Sequence, residues 1–145
     1  MPYRLAVAAE SVSRVIARAY QDRFGLTVPQ WRILANLADR GPLTPLQLGT
    51  CAAMDKVTIS RAARALEERG LLERHDNAQD GRSHILALND DGLALFAAIA
   101  PLALEFEQRL TADLSHAEME TLQVQLRVLH DRALGLLYGK ACGLS

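Results

Sequence analysis

The stretch from Asp55 to Gly70, DKVTISRAARALEERG, most constrains what this chain can become. At 3.6 residues per turn, Ile59, Ala62, Ala63 and Leu66 fall on one side of a helix, and Val57, Ser60, Arg61 and Arg64 on the other, with Lys56 and Thr58 flanking the second set near the start. The first face can be buried. The second offers a hydroxyl, two guanidinium groups and small residues, with no carboxylate before Glu67. A face of this kind suits the major groove of DNA, where Arg pairs with guanine edges, Ser and Thr with several groups, and small apolar side chains with thymine methyls. Both ends are marked. Asp55 can cap the N-terminus and places a negative charge at the positive end of the helix dipole. Gly70 stands where a left-handed C-terminal residue is wanted.

The flanks extend this helix into a larger pattern. Thr44-Pro45-Leu46-Gln47 is a helix start, with Pro in the first turn and Gln in the capping-box position. That helix is expected to reach about Ala53, with a short turn around Met54 before the next. After Gly70, Leu71 to Arg74 and Ser83 to Leu88 read as two strands. The run His75 to Arg82 between them is rich in turn-forming residues. Two helices joined by a turn and followed by a hairpin make a winged helix-turn-helix.

The order Thr44…Leu48, Asp55-Lys56…Ser60-Arg61…Leu66-Glu67…Gly70-Leu71-Leu72-Glu73-Arg74, then Asp80-Gly81-Arg82-Ser83 and Leu88-Asn89-Asp90-Asp91-Gly92, resembles the MarR family of bacterial transcriptional regulators. Leu26-Thr27…Gln30…Leu34 upstream is also similar to that family, so the resemblance covers nearly the whole chain. Asn89 departs from the pattern, which usually has Thr before the next helix; Asn caps a helix equally well.

The remaining sequence is helical in pattern. Leu5, Ala8, Ala9, Val12, Ile16 and Ala19 form an apolar stripe within a long helix expected over residues 4–23, ended by Gly25. Thr27 to Gln30 is a second capping box, opening a helix to about Asp39 that should bury Trp31, Ile33, Leu34 and Leu37. From Asn89, Leu95, Phe96, Ile99, Leu102 and Phe106 make another stripe, with Pro101 inside it and a kink expected near Ala97. Ser115 to Glu118 is a third capping box. The helix it opens carries Met119, Leu122, Leu126, Leu129, Ala133 and Leu136 at coiled-coil-like spacing. Residues 139–145 should form a loose tail. The fold class is thus mainly α with a small β-wing (α+β). Residues 1–145 form a single domain, with a DNA-binding lobe over 27–88 and dimerisation helices over 1–25 and 89–138.

Dimerisation follows from an economy argument. A winged helix of about 60 residues cannot cover three further apolar stripes, so a second copy is expected to share them. A homodimer would also place two recognition helices about 34–36 Å apart, one turn of double-stranded DNA, on a palindromic site. The MarR resemblance implies the same arrangement. Net charge is -1, with six bases and six acids over residues 44–88, so DNA affinity must come from a local face. Val57, Thr58, Ser60 and Arg61 are expected to read base edges. Lys56 and Arg64 sit within reach of phosphate or base, although Arg64 has a rival role in pairing with Glu68. Thr44 and Gln47 can meet phosphates, Arg82 can enter the minor groove from the wing, and Asp80 can orient it.

The resemblance further implies a small aromatic or phenolic effector that binds between the dimer helices and the DNA-binding lobe. Arg14, Arg18, Tyr20, Trp31 and Arg32 could line such a site; each has an ordinary structural role as its alternative. Of the two cysteines, Cys51 lies in the helix before the recognition helix, where oxidation would disturb DNA binding; an inert buried thiol is the simpler reading. Cys142 lies in the tail. No metal-ligand spacing, phosphate loop, nucleophile motif or cofactor signature is present, so an enzyme is not expected. A winged helix that binds protein instead of DNA is the remaining alternative. No signal peptide pattern or transmembrane span is found, and a cytoplasmic regulator, a repressor by default, is expected.

Overall fold

A computed structural model describes residues 1–139. The elements run α1 (Pro2–Ala17), α2 (Gln21–Phe24), α3 (Val28–Arg40), α4 (Pro45–Ala52), α5 (Lys56–Glu68), β1 (Leu72–Asp76), β2 (His84–Leu88), α6 (Asp90–Leu110) and α7 (His116–Tyr138). The expected class, mainly helical with one small antiparallel hairpin, is what the chain adopts. Contacts divide it into a unit from Met1 to Glu107 and a second from Gln108 onwards. Cys142 and most of the expected tail lie outside the described residues.

The three capping boxes form. Thr27, Thr44 and Ser115 each accept the N–H of the residue three positions on, and Gln30, Gln47 and Glu118 return a bond to the cap N–H. The bonds made by Ser115 hold the Glu118 carboxyl below its ordinary range. The expected long first helix does not. It stops at Ala17, and Arg18 to Tyr20 turn into the single turn α2, closed by Gly25 in the left-handed region. The break brings Ala19 and Tyr20 into the core, at 2% and 1% exposure. On a continuous helix Tyr20 would lie one turn beyond Ile16 on the same apolar stripe; past the break it is buried in the core instead.

In the first unit, the core joins Ile33, Leu34 and Leu37 of α3, Leu48 of α4, Ile59, Ala62, Ala63 and Leu66 of α5, Leu71, Leu72 and Leu86 around the hairpin, and Ile99 of α6. The hairpin pairs Leu72 with Leu88 through Asp76 with His84. Its first strand starts one residue later and ends two residues later than the sequence suggests, because His75 and Asp76 pair with Ile85 and His84 despite their turn-like character. A single-residue bridge adds a third edge: Leu43 and Leu86 exchange both backbone hydrogen bonds, at 3.1 and 2.8 Å. Trp31 is half-buried, not buried outright. Pro101 lies inside α6, which remains helical on both sides of it.

Asn89 locks the hairpin's exit. Its Oδ1 accepts the Gly92 N–H at 2.9 Å, capping α6, while its Nδ2 donates to the Gly70 carbonyl at 2.6 Å and its backbone N–H to Leu71 at 3.2 Å. One side chain thereby satisfies the start of α6 and the end of α5. In the second unit, α7 is amphipathic in sequence yet shows Leu122, Leu126 and Leu129 about two-fifths exposed. In α1, Leu5, Ala8, Ala9 and Val12 are exposed as well. Among the described residues, no helix is long and apolar enough to cross a membrane.

Candidate nucleic-acid interface

The recognition helix α5 is oriented by its buried side. Ile59, Ala62, Ala63 and Leu66 pack inward, which leaves Lys56, Val57, Ser60, Arg61 and Arg64 on the surface. Its start is fixed by Asp55, whose carboxylate accepts the Thr58 N–H at 2.7 Å. That bond, with a second from the Thr58 side chain, holds the Asp55 carboxyl below its ordinary range; the Val57 N–H and the Arg61 charge add to this, and partial desolvation opposes it. Thr58 is therefore half-buried and engaged in the cap, unlike the other predicted base readers, which are open to solvent. Arg64 is exposed and pairs with Glu68 at 3.3 Å, the rival partner foreseen from the spacing. An exposed pair of this kind contributes at most a few tenths of a kcal/mol, about 0.3–0.5, so it does not tie the guanidinium down.

The preceding helix presents its start on the surface. Thr44 Oγ1 and Gln47 Oε1 accept within the capping box, which leaves the Thr44 hydroxyl hydrogen and the amide NH2 group of the exposed Gln47 as donors. Leu46 beside it is 83% exposed and Val57 59%, so both helices of the motif open on an uncovered apolar side chain. Ala53 bridges the helices in the left-handed region (φ 53°). The wing tip is built from two side-chain-to-backbone bonds: Asn77 Oδ1 accepts the Gln79 N–H at 3.1 Å, and Asp80 Oδ1 accepts the Arg82 N–H at 3.0 Å. Asp80 thus shapes the turn through the Arg82 main chain, with the Arg82 side chain exposed. Two contacts that the sequence gives no hint of brace this surface. Arg74 of β1 pairs with Glu67 of α5 at 2.9 Å, and Arg69 donates to the carbonyls of Phe24 and Gly25 at 3.1 and 3.4 Å.

The residues proposed for an effector divide in two. Tyr20 stacks on Trp31 (5.1 Å between ring centroids) and Trp31 on Phe96 (5.7 Å). Burial pushes the Tyr20 phenol above its ordinary pKa, partly opposed by the Arg32 charge. Arg32 also donates to Ser13 of α1 at 3.4 Å. Tyr20, Trp31 and Arg32 are thus gathered with Phe96, a residue read from sequence only as part of the α6 stripe. Arg14 and Arg18 stay on the surface, Arg14 paired with Glu10 at 2.9 Å. An open cleft of about 440 Å³ is lined by Glu73, Leu88, Asn89, Asp90 and Asp91. Its three carboxylates are the wrong chemistry for an aromatic acid. Cys51 is half-buried in α4.

Comparison with known proteins places this geometry. The MarR family profile matches residues 24–83, from the end of α2 to the wing tip. The transcriptional regulator HosA of Escherichia coli O157:H7 is 31% identical over 101 residues, covering 70% of this chain and 74% of HosA. Among solved structures, a probable transcriptional regulator from Pseudomonas aeruginosa is 33% identical, with a TM-score of 0.73 over 89% of this chain and 96% of its own. Bordetella bronchiseptica BpsR, described for the regulation of its DNA binding by 6-hydroxynicotinic acid, is 25% identical, with a TM-score of 0.76 over 90% of this chain and 93% of its own. The chain belongs to the MarR family of transcriptional regulators.

Proposed function

We propose that this chain is a dimeric, sequence-specific DNA-binding repressor of a palindromic operator. The observation that carries the reading is the division of α5 into a buried apolar face and an exposed face of Lys56, Ser60, Arg61 and Arg64 without a carboxylate before Glu67. In this reading Val57, Ser60 and Arg61 read bases, and Lys56, Arg64, Thr44 and Gln47 meet phosphate. Arg82 enters the minor groove, and Thr58 acts chiefly through the cap. The exposed apolar residues of α1 and α7 are the surface a second copy would cover. Occupying a promoter with such a dimer blocks polymerase.

The test is a titration of the chain's own upstream intergenic duplex and of an unrelated duplex at two salt concentrations. Selective binding that weakens steeply with salt is expected. Arg61→Ala should cost roughly 1–3 kcal/mol and relax selectivity. Equal, weak binding of both duplexes would sink the reading and favour a protein partner for the same helix.

A small aromatic acid is the effector that the Tyr20–Trp31–Phe96 stack with Arg32 would suit, apolar faces beside one cation. Trp31 is the single tryptophan, so its fluorescence reports directly on that stack. A titration with 6-hydroxynicotinic acid or a phenolic acid should quench it and release DNA together; release without any change at Trp31 would place the effector elsewhere.

A further inference from the structure

The hairpin carries two imidazoles, His75 and His84, and the proposed function gives neither of them a task. His75 Nε2 lies 3.2 Å from a carboxylate oxygen of Glu73. The strand register sets His84 opposite Asp76. All four side chains are exposed. From Leu72 to Leu88 there are three carboxylates, Glu73, Asp76 and Asp80, against two guanidinium groups, Arg74 and Arg82. Arg74 is further held by Glu67 at 2.9 Å. With both imidazoles neutral, the hairpin is a net anion of one charge in the position that would meet phosphate. With both protonated, it is a net cation of one charge.

We propose that the wing is a proton-coupled DNA clamp, in which His75 and His84 take up protons as the hairpin docks, so that operator affinity rises on acidification. This rests on the DNA-binding reading above. Imidazole is the side chain whose charge changes between pH 5 and 8. The phosphate field favours the charged form, and linkage is reciprocal: whatever draws protons on binding is bound more tightly where protons are plentiful. Glu73 and Asp76 are the carboxylates set beside the two imidazoles, and Arg74 and Arg82 are the cations of the hairpin, Arg74 being paired with Glu67 of α5. Asp90 and Asp91 at the start of α6 share a cleft with Glu73. Of the other helices packed on the hairpin, α4 has no charged side chain. On α3, Asp39 and Arg40 stand together with opposite sign, and Arg32 is turned to Ser13. The sequence's other two imidazoles, His116 and His130, lie on α7, where His116 Nε2 is 3.2 Å from Glu120; they are the rival source of any pH effect.

The experiment is a fluorescence-anisotropy titration of the full chain on its upstream duplex at pH 8, 7 and 6, at constant ionic strength. Wild type is compared with H75Q/H84Q and with H116Q/H130Q, and circular dichroism is recorded at each pH. Wild-type affinity should rise at least about tenfold from pH 8 to pH 6, the change that one pH unit of coupled protonation produces. The wing variant should hold that rise below about twofold, and the α7 variant should keep it. An unchanged rise in H75Q/H84Q would overturn the proposal, as would its loss in H116Q/H130Q alone. A wild type that binds selectively but equally at all three pH values overturns the proton coupling and leaves the regulator reading intact. Failure to bind either duplex at any pH removes both.

Discussion

Replacing Gly92 with alanine should destabilise the protein, although helix propensity alone argues the reverse. Gly92 lies in the first turn of α6 with ordinary helical backbone, where Gly→Ala normally gains about 1 kcal/mol. The surroundings decide otherwise. A Cβ on Gly92 would fall inside contact distance of the Leu71 carbonyl oxygen and only 3.2 Å from Leu88 Cδ2. The first obstacle is main chain, and that carbonyl is already held by the Asn89 N–H at 3.2 Å. Relief requires α6 to move away from the start of β1. Overpacking of this kind costs about 1–3 kcal/mol, and loosening the Asn89 bond another 0.5–1.5 or so. Set against the propensity gain, the net loss is about 1–3 kcal/mol. For a chain of this length that corresponds to a fall in Tm of very roughly 3–10 °C. Urea and thermal unfolding, followed by circular dichroism at one fixed protomer concentration, measure it. A midpoint for Gly92→Ala equal to or above wild type would show that the α6 start is free to shift, and would refute the steric argument.

Two further outcomes follow from neighbouring groups. Asn89→Thr keeps an oxygen to cap Gly92 but loses the amide that reaches the Gly70 carbonyl, so it should cost about 1 kcal/mol, whereas Asn89→Ala, which loses both, should cost about twice that; no loss for Asn89→Thr in urea unfolding would mean the Gly70 bond contributes nothing, and equal losses for the two variants that the cap contributes nothing. Asp55 has its carboxyl held low in the folded chain by the Thr58 bonds, so its contribution is full above the ordinary carboxylate range and disappears as pH falls below about 4 through the depressed folded value. Asp55→Asn retains a cap and should show a shallower acid-induced loss of stability than wild type; parallel curves between pH 6 and 3 would rule this linkage out.

Features set by spacing of three or four residues were legible in the sequence. The capping boxes, the Asp55 cap, the Gly70 turn and the two faces of α5 each depend on residues within one or two helical turns, and all appear as expected. What the sequence concealed depends on contacts between distant segments. The apolar period of α1 runs on through Ile16 and Ala19, yet the helix stops at Ala17, and Tyr20 beyond the break stacks on Trp31, eleven positions later. His75 and Asp76 have the composition of a turn, yet cross-strand pairing with Ile85 and His84 makes them strand. Leu43 joins the sheet by one residue, too short a run to show any period.

Asn89 shows where local reading stops. Its value as a helix cap is visible from sequence, and at that level Asn and Thr are interchangeable. In the fold its amide nitrogen faces the Gly70 carbonyl, nineteen residues away, while its amide oxygen faces the Gly92 N–H. Thr has a single oxygen to offer and can at most share it between the two sites, so equivalence as a cap does not extend to the joint. That joint fixes the end of the recognition helix against the start of α6, with Gly92 close beneath it because nothing larger fits against Leu71. A residue chosen for one local duty has thereby become the fastener between the helix proposed to read DNA and the helix whose stripe was read as a dimer surface. A change at position 89 should therefore be felt at α5 even though Asn89 itself stands outside the face that would touch DNA.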